Sequence, residues 1–341
     1  MKIKLQQAEE GQKYSSRLEV GDYAPYFFIE NGDRVLDLQV RACRLNLLLF
    51  VSHRREDLIE QSLALTIDYP NYIISDAPIA ISSRNHFYDD EVFRLFAEPA
   101  SAITAVICDR NLKISFLASG NSWDEILQRI PAESELPLSS APPPVLLVPN
   151  VISSDLAERL IRFLDENNQD AFKDSSDIKS RSHIHPGKDL ERELDDKLTK
   201  SLLPEIEKVF YSEISHRETY KVCCYDASEN GNFYQHRDTI DPHLHRRYAL
   251  TLALNDDFEG GGISFPEYTD ELMDIPKNWA VVFPGSLFHR VNTIGIGRRY
   301  VLVSFFFTEA EAALKENSAR YRFGVKRDLC GVKINKLTPN Y

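Results

Sequence analysis

The sequence predicts two domains: an α/β layer fold, then an antiparallel jelly roll with helices packed on its outside. Three observations predict this. At 341 residues the chain is too long for one ordinary domain. Prolines at 131, 137, 142, 143, 144 and 149 interrupt it near the middle and favour extended backbone. Before them, apolar strands alternate with helical spacings, whereas after them two helices precede many short strands divided by turn signals.

In the first half, residues 35–40 and 45–52 read as strands. The second is a continuous apolar run suited to a strand covered on both faces. Residues 54–65 have helical spacing, 72–75 form a short strand, and 89–97 a helix with Val92, Leu95 and Phe96 on one side. Residues 102–108 and 112–118 are strands meeting at Asp109-Arg110-Asn111. Residues 122–129 form a last helix with Ser122 as its N-cap. The proposed boundaries are 1–130 for this domain, 131–144 for the linker, 145–312 for the second domain and 313–341 for a basic, mixed tail.

The second half opens on an amphipathic helix, 153–167, with Leu156, Leu160, Ile161 and Leu164 on one stripe. A second runs over 189–210, where Pro204 should kink or break it. Strands follow at 221–225, 233–236, 247–255, 262–265, 279–283, 290–293 and 299–308. Turns at 230–231, 256–262, 284–285 and 295–297 separate them.

Composition bounds the function. The net charge of -12 argues against nucleic-acid or anionic-membrane partners. The N-terminal residues have no apolar core of signal-peptide length, and no apolar run spans a bilayer, so a cytoplasmic protein is expected. Five cysteines, Cys43, Cys108, Cys223, Cys224 and Cys330, are too few and too scattered for a disulfide framework. On a strand, Cys223 and Cys224 would point to opposite faces.

The chemistry centres on His236-Arg237-Asp238 and a later His289. On a strand, residues two apart share a face, so His236 and Asp238 can present a nitrogen and a carboxylate to one ion. A histidine from a neighbouring strand completes two His and one carboxylate. That set leaves three cis positions open, which suits Fe(II) taking a bidentate co-substrate and O2. Arg299, ten residues past His289, could grip the far end of a dicarboxylate. Its strand is apolar on both faces, so alternation does not place it, and Arg298 beside it suits solvent. His183-x-His185 and His243-x-His245 lie in polar stretches and read as cleft-rim residues before a second metal site. His53, His86 and His216 read as surface residues.

Several motifs in order carry a resemblance. They are Lys221-Val222-Cys223-Cys224-Tyr225, Phe233-Tyr234-Gln235-His236-Arg237-Asp238, Leu254-Asn255-Asp256-Asp257, Glu259-Gly260-Gly261-Gly262, the run from Ala280 to His289, and Gly297-Arg298-Arg299-Tyr300. The segment 145–312 resembles the prolyl-4-hydroxylase-type branch of the 2-oxoglutarate/Fe(II) dioxygenases. The resemblance implies a double-stranded β-helix and iron held by His236, Asp238 and His289. It implies 2-oxoglutarate anchored by Arg299, and Tyr225 lining the co-substrate pocket. Ascorbate (vitamin C) is a further cofactor found in the family. The implied reaction consumes 2-oxoglutarate and O2, releases succinate and CO2, and hydroxylates an unactivated C–H of a protein side chain, amino acid or small metabolite. Phe233 and Ala253 depart from the family, which commonly has tyrosines there.

Val20-Gly21-Asp22-Tyr23-Ala24-Pro25-Tyr26-Phe27, then Leu47-Leu48-Leu49-Phe50, resemble the opening of a peroxiredoxin of the thioredoxin fold. The peroxidatic cysteine of that family should follow Phe50 at a helix N-terminus, where its pKa is lowered. His53-Arg54-Arg55 stands there instead. The resemblance therefore implies a docking or self-associating domain without peroxidase activity. Two other readings of the whole chain stay open: a catalytically inactive binding protein using both domains, and a cupin-like metalloenzyme that needs no 2-oxoglutarate.

Overall fold

A computed structural model describes residues 18–38, 45–63, 70–80, 83–132, 141–176, 178–240, 242–315 and 332–333. Apart from Pro266–Thr269, which group with the first, the chain divides between Pro142 and Pro143 into two compact units. Residues 133–140 of the expected linker, Cys43 and Cys330, and most of the tail lie outside the described residues.

The first unit opens on a hairpin of β1 (Phe28–Asn31) and β2 (Arg34–Asp37). A five-stranded sheet follows, built from β3 (Asn46–Val51), β4 (Asn71–Ser75), β5 (His86–Tyr88), β6 (Ile103–Cys108) and β7 (Ile114–Gly120) in the order β5-β4-β3-β6-β7. β3, β4 and β5 run parallel, β6 runs antiparallel to β3, and β7 runs antiparallel to β6. Every residue of β3 and β6 is buried. Leu48, Phe50 and Val106 face one core, while Leu47, Leu49 and Ile107 face another. Helices α1 (Glu56–Leu63), α2 (Asp90–Phe96) and α3 (Trp123–Leu127) supply the covering residues. Ser122 accepts a hydrogen bond from the Glu125 N–H at 3.4 Å, as an N-cap should. His86 is buried on β5, contrary to the surface expectation, with Nε2 2.9 Å from the Ser75 hydroxyl.

The second unit begins with β8 (Leu146–Val148) and α4 (Ser154–Glu166), capped by Ser153. β9 (Phe172–Ser175) and β10 (Lys179–Ile184) form a hairpin that no hydrophobic alternation announced. The predicted second helix splits at Leu202 into α5 (Lys188–Ser201) and α6 (Leu203–Phe210), with Pro204 in the first turn of α6, where its missing N–H costs nothing. Then come β11 (His216–Arg217), β12 (Lys221–Asp226), β13 (Asn232–His236), β14 (Tyr248–Ala253), β15 (Glu259–Gly260), β16 (Ile263–Ser264), β17 (Ala280–Pro284), β18 (His289–Val291), β19 (Ile294–Ile296), β20 (Arg298–Phe307) and β21 (Val332–Lys333). β21 pairs with β11.

Twelve of these strands make one antiparallel sheet, ordered β16-β18-β13-β10-β12-β20-β14-β17-β8 along its main path. One face buries Val222, Leu250, Leu302 and Phe306 under Leu156, Leu160, Leu194, Leu198 and Ile206 of the helices. The other face closes on a cavity lined from both ends of the sheet, by Phe233, Ile263, His289 and Val291 and by Thr251, Phe283, Val303 and Phe305. The sheet is therefore curled, as a jelly roll requires. Cys224 packs in the helical core and Cys223 on the inner face. His216 is buried against Phe307 rather than exposed.

Candidate metal centre

His236 ends β13 and pairs across the sheet with His289, which opens β18. The register shifts between Phe233 and His236, a bulge that re-aims the side chains at the strand end. Asp238 lies beyond the strand, so strand alternation does not place it. Its backbone N–H donates to the Gly285 carbonyl at 2.8 Å, and Thr239 N–H donates to the same oxygen at 2.9 Å. Gly285 has to be glycine: a Cβ there would lie 2.5 Å from the Thr239 hydroxyl and 2.7 Å from the Arg246 carbonyl. The Pro284-Gly285 turn thus holds Asp238 between the two histidines.

The three ligand atoms converge. His236 Nε2 lies 3.6 Å from Asp238 Oδ1, and His289 Nε2 lies 3.4 Å from Asp238 Oδ2. One atom from each residue falls within 4.8 Å of the others. Both imidazoles are oriented from behind. His236 Nδ1 is 2.7 Å from the Tyr234 carbonyl and His289 Nδ1 is 3.0 Å from the Leu287 carbonyl. A carbonyl only accepts, so Nδ1 carries the proton and Nε2 offers its lone pair to the centre. Burial, opposed by Asp238, brings the His289 pKa down to about 4, so it stays neutral. Burial alone would raise Asp238, but His289 and His236 outweigh it and hold the carboxyl below its usual range. Two imidazole Nε2 atoms and a carboxylate are the donor set a divalent transition metal binds.

Arg299 is buried, which settles the face that sequence left open. It shares the inner face of β20 with Val301, while exposed Arg298 pairs with Asp165 at 3.3 Å. Arg299 lines a cavity of about 380 Å³ that shares no lining residue with the metal cavity of about 440 Å³. Gly261 opens that space, since a Cβ on it would sit 2.1 Å from Ile294 Cδ1 and 3.1 Å from Arg299 Cδ. Arg299 Nη1 has no hydrogen-bond partner, and burial lowers the pKa of the guanidinium. Tyr225, its Cα partner across β12 and β20, lines the metal cavity, with its ring 5.6 Å from the Arg299 guanidinium carbon.

Sequence reasoning missed Arg181. It lies on β10, is 8% exposed, and donates from Nη1 to the Tyr225 hydroxyl at 3.1 Å. Its guanidinium carbon lies 5.3 Å from the Phe233 ring, which stacks on His236 at 3.6 Å. The signal was present: Lys179, Arg181 and His183 have the two-residue period of one strand face, but in polar rather than apolar residues. His183 therefore lies on a strand and not in a polar loop.

Glu218, His243 and His245 form a second cluster within 4.8 Å. Its carboxylate is already taken, by His245 Nε2 at 2.7 Å and by Arg246 at 2.8 and 3.0 Å. A guanidinium in that position opposes a cation, so the cluster is a half-buried ion network.

No family model matches the chain. A procollagen-lysine,2-oxoglutarate 5-dioxygenase of Drosophila melanogaster is 33% identical over 63 residues, covering 17% of this chain and 9% of that protein. The match thus spans under a tenth of the relative's length. Among solved structures, a Trichoplax adhaerens prolyl hydroxylase, in complex with a hypoxia inducible factor peptide fragment, aligns with TM-score 0.42 and 18% identity, over 50% of this chain and 86% of that one. A Pseudomonas putida prolyl-4-hydroxylase aligns with TM-score 0.40 and 16% identity, over 48% and 92%. The collagen prolyl hydroxylase of Paramecium Bursaria Chlorella virus-1 gives 0.37 and 17%, over 48% and 94%. At these scores the side chains have to carry the functional reading. Among the described residues, no helix is long and apolar enough to cross a membrane.

Proposed function

We propose that the second unit is an Fe(II)- and 2-oxoglutarate-dependent dioxygenase that hydroxylates an unactivated C–H. The observation that carries the reading is the convergence of His236, Asp238 and His289, with both Nδ1 protons committed to backbone carbonyls. Bound there, iron supplies O2 activation and the oxidative decarboxylation of 2-oxoglutarate to succinate and CO2. The chain supplies position and shielding. Arg299 takes the far carboxylate of the co-substrate, and its unpartnered Nη1 is the donor that group would satisfy. Tyr225 closes the co-substrate end of the cavity. Phe283, Val303 and Phe305 make a dry wall, which strengthens electrostatic interactions inside.

The order β5-β4-β3-β6-β7, with three parallel strands and an antiparallel hairpin, supports a thioredoxin-like reading of the first unit. The position after Phe50 carries His53-Arg54-Arg55 and not a cysteine. Cys108 is buried, and burial followed by Asp109 pushes its pKa up to about 12. We take docking or self-association as the role of this unit.

The test is anaerobic titration of iron-loaded protein with 2-oxoglutarate, followed in the visible charge-transfer band, then admission of air and assay of succinate. The expected result is a band and succinate in the wild type and neither in His236→Ala. Folded wild-type protein giving no band and no succinate overturns the reading.

A further inference from the structure

We propose that the substrate is an anion, and that Arg181 and Lys221 hold its carboxylate or phosphate group inside the metal cavity. This rests on the dioxygenase reading and narrows it to a substrate class.

The chain carries a net charge of -12, yet five cationic side chains line the metal cavity: Lys179, Arg181, Lys221, Arg237 and Arg246. Two carboxylates answer part of this charge. Asp174 lies 2.6 Å from Lys179 Nζ and 3.7 Å from Arg181 Nε. Glu218 is bound through both oxygens to Arg246. The Lys221 ammonium has no ion pair or hydrogen bond among the described residues, although Glu218 acts on it at longer range. Arg181 is nine-tenths buried, and its Nε has no hydrogen-bond partner. A buried guanidinium with an idle donor is costly unless something else occupies the site.

The strands aim both cations inward. β10 and β12 are antiparallel neighbours, with His183 opposite Cys223. Two residues on, the same register sets Arg181 opposite Tyr225, on the inner face. Lys221, Cys223 and Tyr225 share that face of β12, so Lys221 and Arg181 flank one stretch of wall. Lys221 lies in the field of Arg181: burial and then Arg246 lower the Lys221 pKa, Glu218 opposes them, and Arg181 adds to the lowering. Phe233, between Arg181 and His236, places the guanidinium one ring away from a metal ligand. The far carboxylate of 2-oxoglutarate has Arg299 on another strand, so Arg181 and Lys221 are left for the substrate. A locally positive cavity in an acidic protein also concentrates anions against the overall repulsion.

The test uses the full chain loaded with Mn(II) and 2-oxoglutarate. Its probes are matched pairs: N-acetyl-glutamate amide against N-acetyl-glutamine amide, and N-acetyl-phosphoserine amide against N-acetyl-serine amide. Paramagnetic broadening of probe protons reports binding near the metal. Each acid is expected to bind about tenfold or more tightly than its neutral partner. The larger of the two preferences tells carboxylate from phosphate. Lys221→Gln should erase the preference and Lys221→Arg should retain it. Because Arg181→Gln removes a buried hydrogen bond, it is compared only if its melting curve stays cooperative. Equal binding of acids and neutral partners, while Mn(II) and 2-oxoglutarate bind normally, overturns the proposal. So does a raised 2-oxoglutarate requirement in both variants with the acid preference intact, which would assign these cations to the co-substrate. Failure to bind Mn(II) or 2-oxoglutarate at all overturns the dioxygenase reading itself, and this inference with it.

Discussion

The two sheets of this chain use their faces differently. In the first unit, β3 and β6 are apolar on both faces, and each face fills a separate core. In the second, β20 is just as apolar to the eye, yet Leu302 packs under helices while Val303 faces a cavity with Arg181, Lys221 and the metal ligands. A sheet covered on both sides has no room for chemistry on its faces and leaves only the strand ends for it. A curled sheet leaves one face uncovered, and the buried polar groups there are functional candidates.

The largest expected effect falls on the open face. Arg299→Met should weaken 2-oxoglutarate binding by about 1,000-fold, because two charge-assisted hydrogen bonds are lost. Its melting temperature should hold or rise, since the variant removes a buried, incompletely partnered charge. Titration of the charge-transfer band and a thermal melt check both halves. A destabilised variant with intact binding would make Arg299 a structural residue.

Next comes a direct contrast between the strands. Leu47→Ala and Leu48→Ala, on opposite faces of β3, should each cost about 3 kcal/mol. On β20, Leu302→Ala should cost about 3 kcal/mol and Val303→Ala under about 1 kcal/mol. Urea denaturation measures all four. Equal costs at 302 and 303 would mean that the inner face is packed and not open.

Glu218→Gln should cost about 2 kcal/mol, by leaving Arg246 and His245 without their shared anion. Burial would raise Glu218, but hydrogen bonds from His245 and Arg246 outweigh it and depress its pKa well below the carboxylate range. The stabilisation is therefore present above the unfolded carboxyl pKa and is lost as pH falls through the folded value. Melting at pH 7 and pH 3 should show the variant and wild type converging in acid.

The smallest effect belongs to the closed sheet. Burial, and then Arg34, bring the His86 pKa down to about 4. The unfolded histidine binds its proton near 6.5, so the unfolded state takes up more protons between those values. The first unit should be fully stabilised above pH 6.5 and lose stability as pH falls towards 4. His86→Gln should flatten that slope. Fluorescence of Trp123 in a Trp279→Phe background reads the first unit alone, because the chain has two tryptophans.

The divergence between sequence and structure follows the same contrast. The apolar strands, the Ser122 cap and the break at Pro204 were legible, because each is set by neighbours within a few residues. β10 was not, because its inward face is Lys179, Arg181 and His183, and a polar alternation looks like a loop. His86 and His216 read as surface residues because a single histidine has no pattern to betray its burial.

The sequence by itself determined the donor types, the spacing of His236 and Asp238, and the presence of an arginine ten residues after His289. Only the tertiary structure decided that His289 stands opposite His236, that Gly285 fixes Asp238, that Arg299 faces inward, and that Arg181 joins them. The reason is physical. A chain writes its local period into its residues, but which strand becomes a neighbour, and which apolar face meets a helix rather than a cavity, depends on how the sheet curls.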